Sequence, residues 1–139
     1  MIYSKMGGAY ALRLDPGDEI TACLLELSEK ENIAAATVSG IGACGEAEVG
    51  VFNLETGVYD RAFLSGNHEI VSLNGNLSRM NGKAYQHLHI ALAGKDGVCR
   101  GGHLLRAVIS LTAEIFVRPI EGEIGRVRSE SLGINQMQL

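Results

Sequence analysis

Tryptophan is absent from this 139-residue chain, and proline occurs only twice. Glycine, by contrast, occurs 18 times, where average usage would give about ten. Glycine-rich linkers and disordered tracts usually carry proline and few apolar residues, whereas 46% of this chain is hydrophobic and 20% charged. Disorder is excluded on that balance. The glycines instead mark tight turns and places where backbone or ligand comes close. Cysteine is scarce too. Cys23, Cys44 and Cys99 are an odd number with no C-x-x-C spacing, which excludes a disulfide framework and a paired zinc ribbon. Free thiols in a reducing compartment, the cytoplasm, are the simplest expectation.

Cationic runs are also missing. The densest basic stretch, Arg118 to Arg128, is diluted by Glu121 and Glu123, and the formal charge is −4. Binding to nucleic acid draws chiefly on neutralising phosphates, so unaided DNA binding is disfavoured. No apolar run approaches the ~18 residues of a membrane span. Met1 to Met6 has no stretch resembling a signal peptide. What remains is the profile of one compact cytoplasmic domain over residues 1–139, long enough to bury ~68–70% of its unfolded surface.

Along the chain, Ala9 to Leu14 reads as a strand that Asp15-Pro16-Gly17-Asp18 terminates. A helix is expected from about Asp18 to Glu31, because Ile20, Cys23, Leu24 and Leu27 recur at i, i+3, i+4 and i+7. Beyond Asn32 short β-rich runs alternate with turn residues. Strands are expected near 34–39, 46–53, 58–65, 69–78, 84–93 and 107–118. The Asn81-Gly82 and Asp96-Gly97 pairs supply the positive φ of tight hairpins. One helix packed on an antiparallel-rich sheet is an α+β fold.

Three of the four histidines lie close together: His87, His89 and His103. Side chains alternate along a strand, so His87 and His89 share one face while Leu88, Ile90 and Leu92 share the other. His103 follows a Gly94–Gly97 turn and the Gly101-Gly102 pair, where a returning strand can approach without a Cβ in the way. Three neutral imidazoles with an open position form a catalytic-type zinc arrangement, although imidazole also suits iron, copper and nickel. The same spacing equally describes hydrogen-bonded histidines on a polar strand face.

Glu69 is the second unusual residue. Strict alternation places it with Val71 and Leu73, and a carboxylate on an apolar face is costly unless paired or protonated. It is read either as a general acid or base or as one half of a structural ion pair with Arg13, itself mid-strand. In a catalytic setting Arg13 would serve as an anion clamp. His68 reads as an exposed strand residue. The Gly40-Ile41-Gly42 segment lacks the third spaced glycine of a phosphate loop and reads as a bend between strands. Cys44 reads as a buried, unreactive thiol.

Taken in order, Val38-Ser39-Gly40-Ile41-Gly42-Ala43, Glu69 to Asn76, His87-Leu88-His89, Gly101-Gly102-His103-Leu104 and Thr112-Ala113-Glu114-Ile115 resemble the PPC (plants and prokaryotes conserved) domain, in its prokaryotic form. That resemblance runs from about Tyr10 to Phe116. It implies a homotrimeric α+β domain. It also implies a DNA-binding or transcription-associated role, since plant members join the domain to a basic AT-hook. No Arg-Gly-Arg-Pro hook occurs in this sequence. A more distant similarity is to acetolactate decarboxylase, where an H-x-H and a later histidine hold zinc; His87, His89 and His103 would match those ligands. The functional expectation is a zinc or other divalent-metal module that senses or acts on a small oxygen-bearing ligand, with enzyme activity open. The alternative is a DNA-associated protein lacking the hook. The trimer is directly testable: light scattering at micromolar concentration is expected to give three chains of 14.8 kDa, and a monomer would contradict it.

Overall fold

The apolar stripe Ile20, Cys23, Leu24 and Leu27 forms one helix, α1 (Ile20–Lys30), and all four residues are buried. The helix starts at Glu19, whose carboxylate accepts from the backbone N–H groups of Thr21 (3.0 Å) and Ala22 (2.8 Å). Two of the unpaired donors of the first turn are satisfied in this way. The same carboxylate accepts from the N–H of Ala107 at 3.1 Å, tying the start of the helix to the sheet.

The computed structural model describes residues 1–139. Around α1 it places β1 (Ile2–Met6), β2 (Ala9–Leu14), β3 (Ala36–Asn53), β4 (Val58–Met80), β5 (Lys83–Ala93), β6 (Cys99–Pro119), β7 (Gly125–Ser129) and β8 (Ile134–Gln138). They form one sheet in the order β1-β2-β6-β3-β4-β7-β8, with β5 pairing to both β4 and β6. Pairing is antiparallel throughout, except for a parallel bridge between Arg79 and Gly125. Because β5 joins β4 to β6 while β3 lies between those same two strands, the sheet curls and closes on itself. The helix packs against β5 and β6. The core lies between α1 and the inner sheet face, with Leu73, Leu77, Leu88, Leu92, Leu104, Ile115 and Val117 fully enclosed.

The α+β expectation holds, as one helix on a dominant sheet. Three strands differ from it. β6 begins at Cys99 rather than near 107. Segments 34–39 and 46–53 are a single strand, as are 58–65 and 69–78. The intervening glycines make β-bulges rather than turns. Register shifts fall between Gly40 and Gly42 and between Cys44 and Glu46 on β3, and between Ile70 and Ser72 on β4. A bulge bends a strand and raises its twist without ending it, which is how strands this long curl into a closed sheet. The short strands β1, β7 and β8 were not anticipated. β1 and β8 end the strand order and β7 meets β4 through a single bridge, and their mostly exposed residues carry little apolar alternation.

Close strand approach depends on missing side chains. A methyl at Gly101 would run into the carbonyl oxygen of Ile90 on β5, whereas one at Gly45 would meet only Ser110 Cβ at 3.3 Å. Gly101→Ala is therefore expected to cost about 1–3 kcal/mol through overpacking, and Gly45→Ala less. Urea titrations of both variants check this. Equal stability of Gly101→Ala and the parent would contradict it.

Candidate metal centre

Antiparallel register sets the site. His89 on β5 lies directly opposite His103 on β6, and His87 precedes His89 by two residues on the same strand face. The ring centroids form a nearly equilateral triangle: 5.3 Å for His87–His89, 5.1 Å for His87–His103 and 5.6 Å for His89–His103. One ligand nitrogen from each ring lies within 4.8 Å of the others, so the three could hold one metal ion.

The surrounding residues hold the rings in place. Tyr59 of β4 stacks on His103, with centroids 4.9 Å apart and planes at 27°, and Phe52 braces Tyr59 edge-on at 5.2 Å. Gly50 makes that stacking possible, because a Cβ there would sit 2.9 Å from the Tyr59 ring. A third wall comes from the β7–β8 hairpin. Arg126 is buried, donates through Nε to Ser78 Oγ at 3.0 Å and through Nη2 to Asn76 Oδ1, and lies 5.1 Å over the Tyr85 ring. Asn135 Nδ2 donates to the Tyr85 hydroxyl at 3.4 Å. Together Tyr59, Tyr85, His87, His103, Arg128 and Asn135 line a cavity of about 130 Å³, with Gly133 and Ile134 completing it.

The electrostatics favour neutral imidazoles. Burial, with His87 and His89 adding to it, pushes His103 down to about 4. Burial, the Arg126 guanidinium and His89 likewise lower His87. A neutral ring keeps the lone pair a metal needs. His103 Nδ1 is buried without any hydrogen-bond partner. Leaving such a group unsatisfied costs about 1–3 kcal/mol, and buried polar atoms without partners often mark an ion or ordered water. By donor type, number and this orphaned atom, the three residues fit a borderline transition metal such as zinc.

Glu69 and Arg13 are not in this cavity. Glu69 pairs across the sheet with Ala43 and Ala93 and is exposed. The bulge between Ile70 and Ser72 reverses the alternation there, so Glu69 and Val71 face outward while Leu73 is enclosed. A carboxylate read as lying on an apolar face thus lies on a wet one. Arg13 pairs with Asp15 at 2.9 Å at the surface and sits opposite Glu114, not Glu69. His68 is also elsewhere, its Nδ1 2.7 Å from the Gly66 carbonyl oxygen. Cys44 is buried, and desolvation pushes its thiol up to about 11. Tyr59, Tyr85, Arg126, Arg128 and Asn135 escaped the sequence reading. The one available signal was Arg126-Val127-Arg128, whose i, i+2 spacing puts both guanidiniums on one strand face.

A family model of the Plants and Prokaryotes Conserved (PCC) domain matches residues 1–121, and the chain belongs to that family. Three solved structures are similar over nearly the whole length. A metal-containing protein from Archaeoglobus fulgidus is 35% identical, with 100% of this chain and 99% of that one covered and a TM-score of 0.89. A proposed DNA-binding protein from Bacteroides thetaiotaomicron is 33% identical, with 99% and 96% covered and a TM-score of 0.95. A plant- and prokaryote-conserved protein from Pyrococcus horikoshii is 30% identical, with 99% and 95% covered and a TM-score of 0.90. More remotely, a Staphylococcus aureus protein described as similar to alpha-acetolactate decarboxylase shares the fold at 14% identity and a TM-score of 0.60, covering 87% of this chain and 54% of that one. No curated protein sequence matches the chain. No helix is long and apolar enough to cross a membrane.

The position of Glu69 yields a clear expectation. An exposed carboxylate with no ion pair contributes little, so Glu69→Gln should change stability by no more than about 0.5 kcal/mol. A buried pair would have cost about 3–5 kcal/mol on the same substitution. Thermal melts of the variant distinguish the two, and a loss of the larger size would overturn the placement described here.

Proposed function

We propose that this PCC-domain protein is a metalloprotein that holds one divalent transition-metal ion, zinc foremost, on His87, His89 and His103 and uses it to bind a small oxygen-bearing ligand. The observation that carries this reading is the triangle of imidazoles whose ligand nitrogens lie within 4.8 Å of one another, with His103 Nδ1 buried and unpartnered. The metal-containing relative from A. fulgidus supports it. An ion on three imidazoles keeps a position open, where it polarises an oxygen donor or lowers the pKa of bound water.

The protein's own residues bind, orient and exclude water. Tyr59 holds the His103 ring by stacking, and Arg126 fixes the hairpin wall and keeps positive charge beside His87. Glu69 and Arg13, removed from the cavity, take no part in this reading. Assembly as a homotrimer belongs to the same proposal. In its support, Ile41, Val71 and Phe116 are 58%, 53% and 46% exposed around one groove of the sheet, an apolar surface of the kind that oligomers cover.

A second reading, association with DNA, draws on the description of the B. thetaiotaomicron relative. The net charge of −4 opposes it for the isolated chain. Elemental analysis of protein purified without chelators separates the readings. About one metal per chain is expected, falling to near zero in His103→Ala. Zinc added at 100 times its Kd should stabilise the metal-free parent by about 2.7 kcal/mol and leave His103→Ala unmoved. A protein that carries no metal and takes none up contradicts the proposal. Tight duplex binding by the metal-free chain that weakens steeply with salt supports the DNA reading instead.

A further inference from the structure

The cavity beside the histidines has a charge imbalance that the metal reading leaves unanswered. Its lining contains no acidic side chain, and three neutral imidazoles leave both positive charges of a divalent ion without protein compensation. Two guanidiniums add to that excess. Arg126 is engaged with Ser78, Asn76 and the Tyr85 ring. Arg128, two residues on and on the same face, lines the cavity yet takes part in none of the five salt bridges of the chain. Asn135 lies directly opposite Arg128 in the hairpin register and also lines the cavity. A guanidinium offers a planar fork of donors that matches two oxygens of a carboxylate or phosphate.

We infer that the β7–β8 hairpin builds an oxyanion site next to the three histidines, with Arg128 as its anchor and Asn135 and Tyr85 as its neutral hydrogen-bonding groups. This deepens the metal reading and rests on it for the second contact, from the ion to the ligand's other oxygen. The cavity, about 130 Å³, has room for a small carboxylate or a single phosphate. The hairpin begins at Gly125, past residue 121 where the family model ends, and the three similar solved structures cover it as well. Its attachment is firm. Arg79 N–H donates to the Ile124 carbonyl at 2.8 Å, and buried Arg126 bonds to β4.

The test uses the whole protein loaded with cobalt(II), whose visible bands report an oxygen donor reaching the metal. Acetate and inorganic phosphate are titrated separately into the parent, Arg128→Gln and Arg128→Lys. At least one anion is expected to perturb the parent spectrum, with affinity at least tenfold weaker in Arg128→Gln and partly regained in Arg128→Lys. Cobalt affinity should be the same in all three. Arg128 is exposed, so the substitutions leave the fold intact. Equal anion affinity in the parent and Arg128→Gln, or no anion effect in either, overturns the inference while the metal reading stands. Failure to take up cobalt sinks the metal reading instead. Calorimetry of phosphate and acetate against the metal-free proteins then decides the role of Arg128 by the same comparison. A short DNA duplex that displaces phosphate from the parent at far lower concentration would assign the oxyanion to a nucleic-acid backbone and overturn the small-ligand assignment.

Discussion

The close approach of β6 to β5 at Gly101 and Gly102 is the constraint from which the site follows. Any side chain at Gly101 would strike the Ile90 carbonyl, and a Cβ at Gly102 would come within 2.7 Å of the Gly50 carbonyl oxygen. With both positions bare, β6 passes between β5 and β3 closely enough to pair with each. His103 then faces His89 across one edge and Gly50 across the other. Gly50 in turn leaves room for Tyr59 to lean onto His103. Three glycines on two strands therefore place one imidazole, orient it and cover it.

Curvature is the complementary constraint. Strands of 18, 23 and 21 residues cannot remain flat and still enclose a core, since twist accumulates along paired strands. The bulges in β3 and β4 absorb it, and each also shifts which residues face inward. Histidines and Arg128 line one small cavity, while Ile41, Val71 and Phe116 stay exposed around a groove that includes Asn74, the cross-strand neighbour of His89, and Glu69 lies in the open.

The legible parts of the sequence were those governed by local period. The helix announced itself through four residues at helical spacing. His87 and His89 were placed together by the two-residue period of a strand, and His103 was added through the glycine pair that lets strands meet. Glu69 was misplaced because a bulge between Ile70 and Ser72 reverses the period without leaving a mark in a single sequence. The continuous β3 and β4 strands were missed for a related reason: a glycine that makes a bulge looks the same as one that makes a turn. The hairpin wall was illegible because β7 and β8 are five-residue strands whose position depends on Arg126 reaching Ser78 and Asn76, 48 and 50 residues away in sequence. Such long-range polar contacts have no periodic signature.

Everything proposed for this protein turns on whether three imidazoles share one ion. X-ray absorption at the metal edge, on protein purified without chelators, examines that sharing most directly. The account predicts the outer-shell scattering pattern of about three imidazole rings around one metal, with oxygen completing the shell and no sulfur, and loss of that pattern in His103→Ala. A metal shell dominated by sulfur, or one of oxygen alone without imidazole scattering, would contradict it.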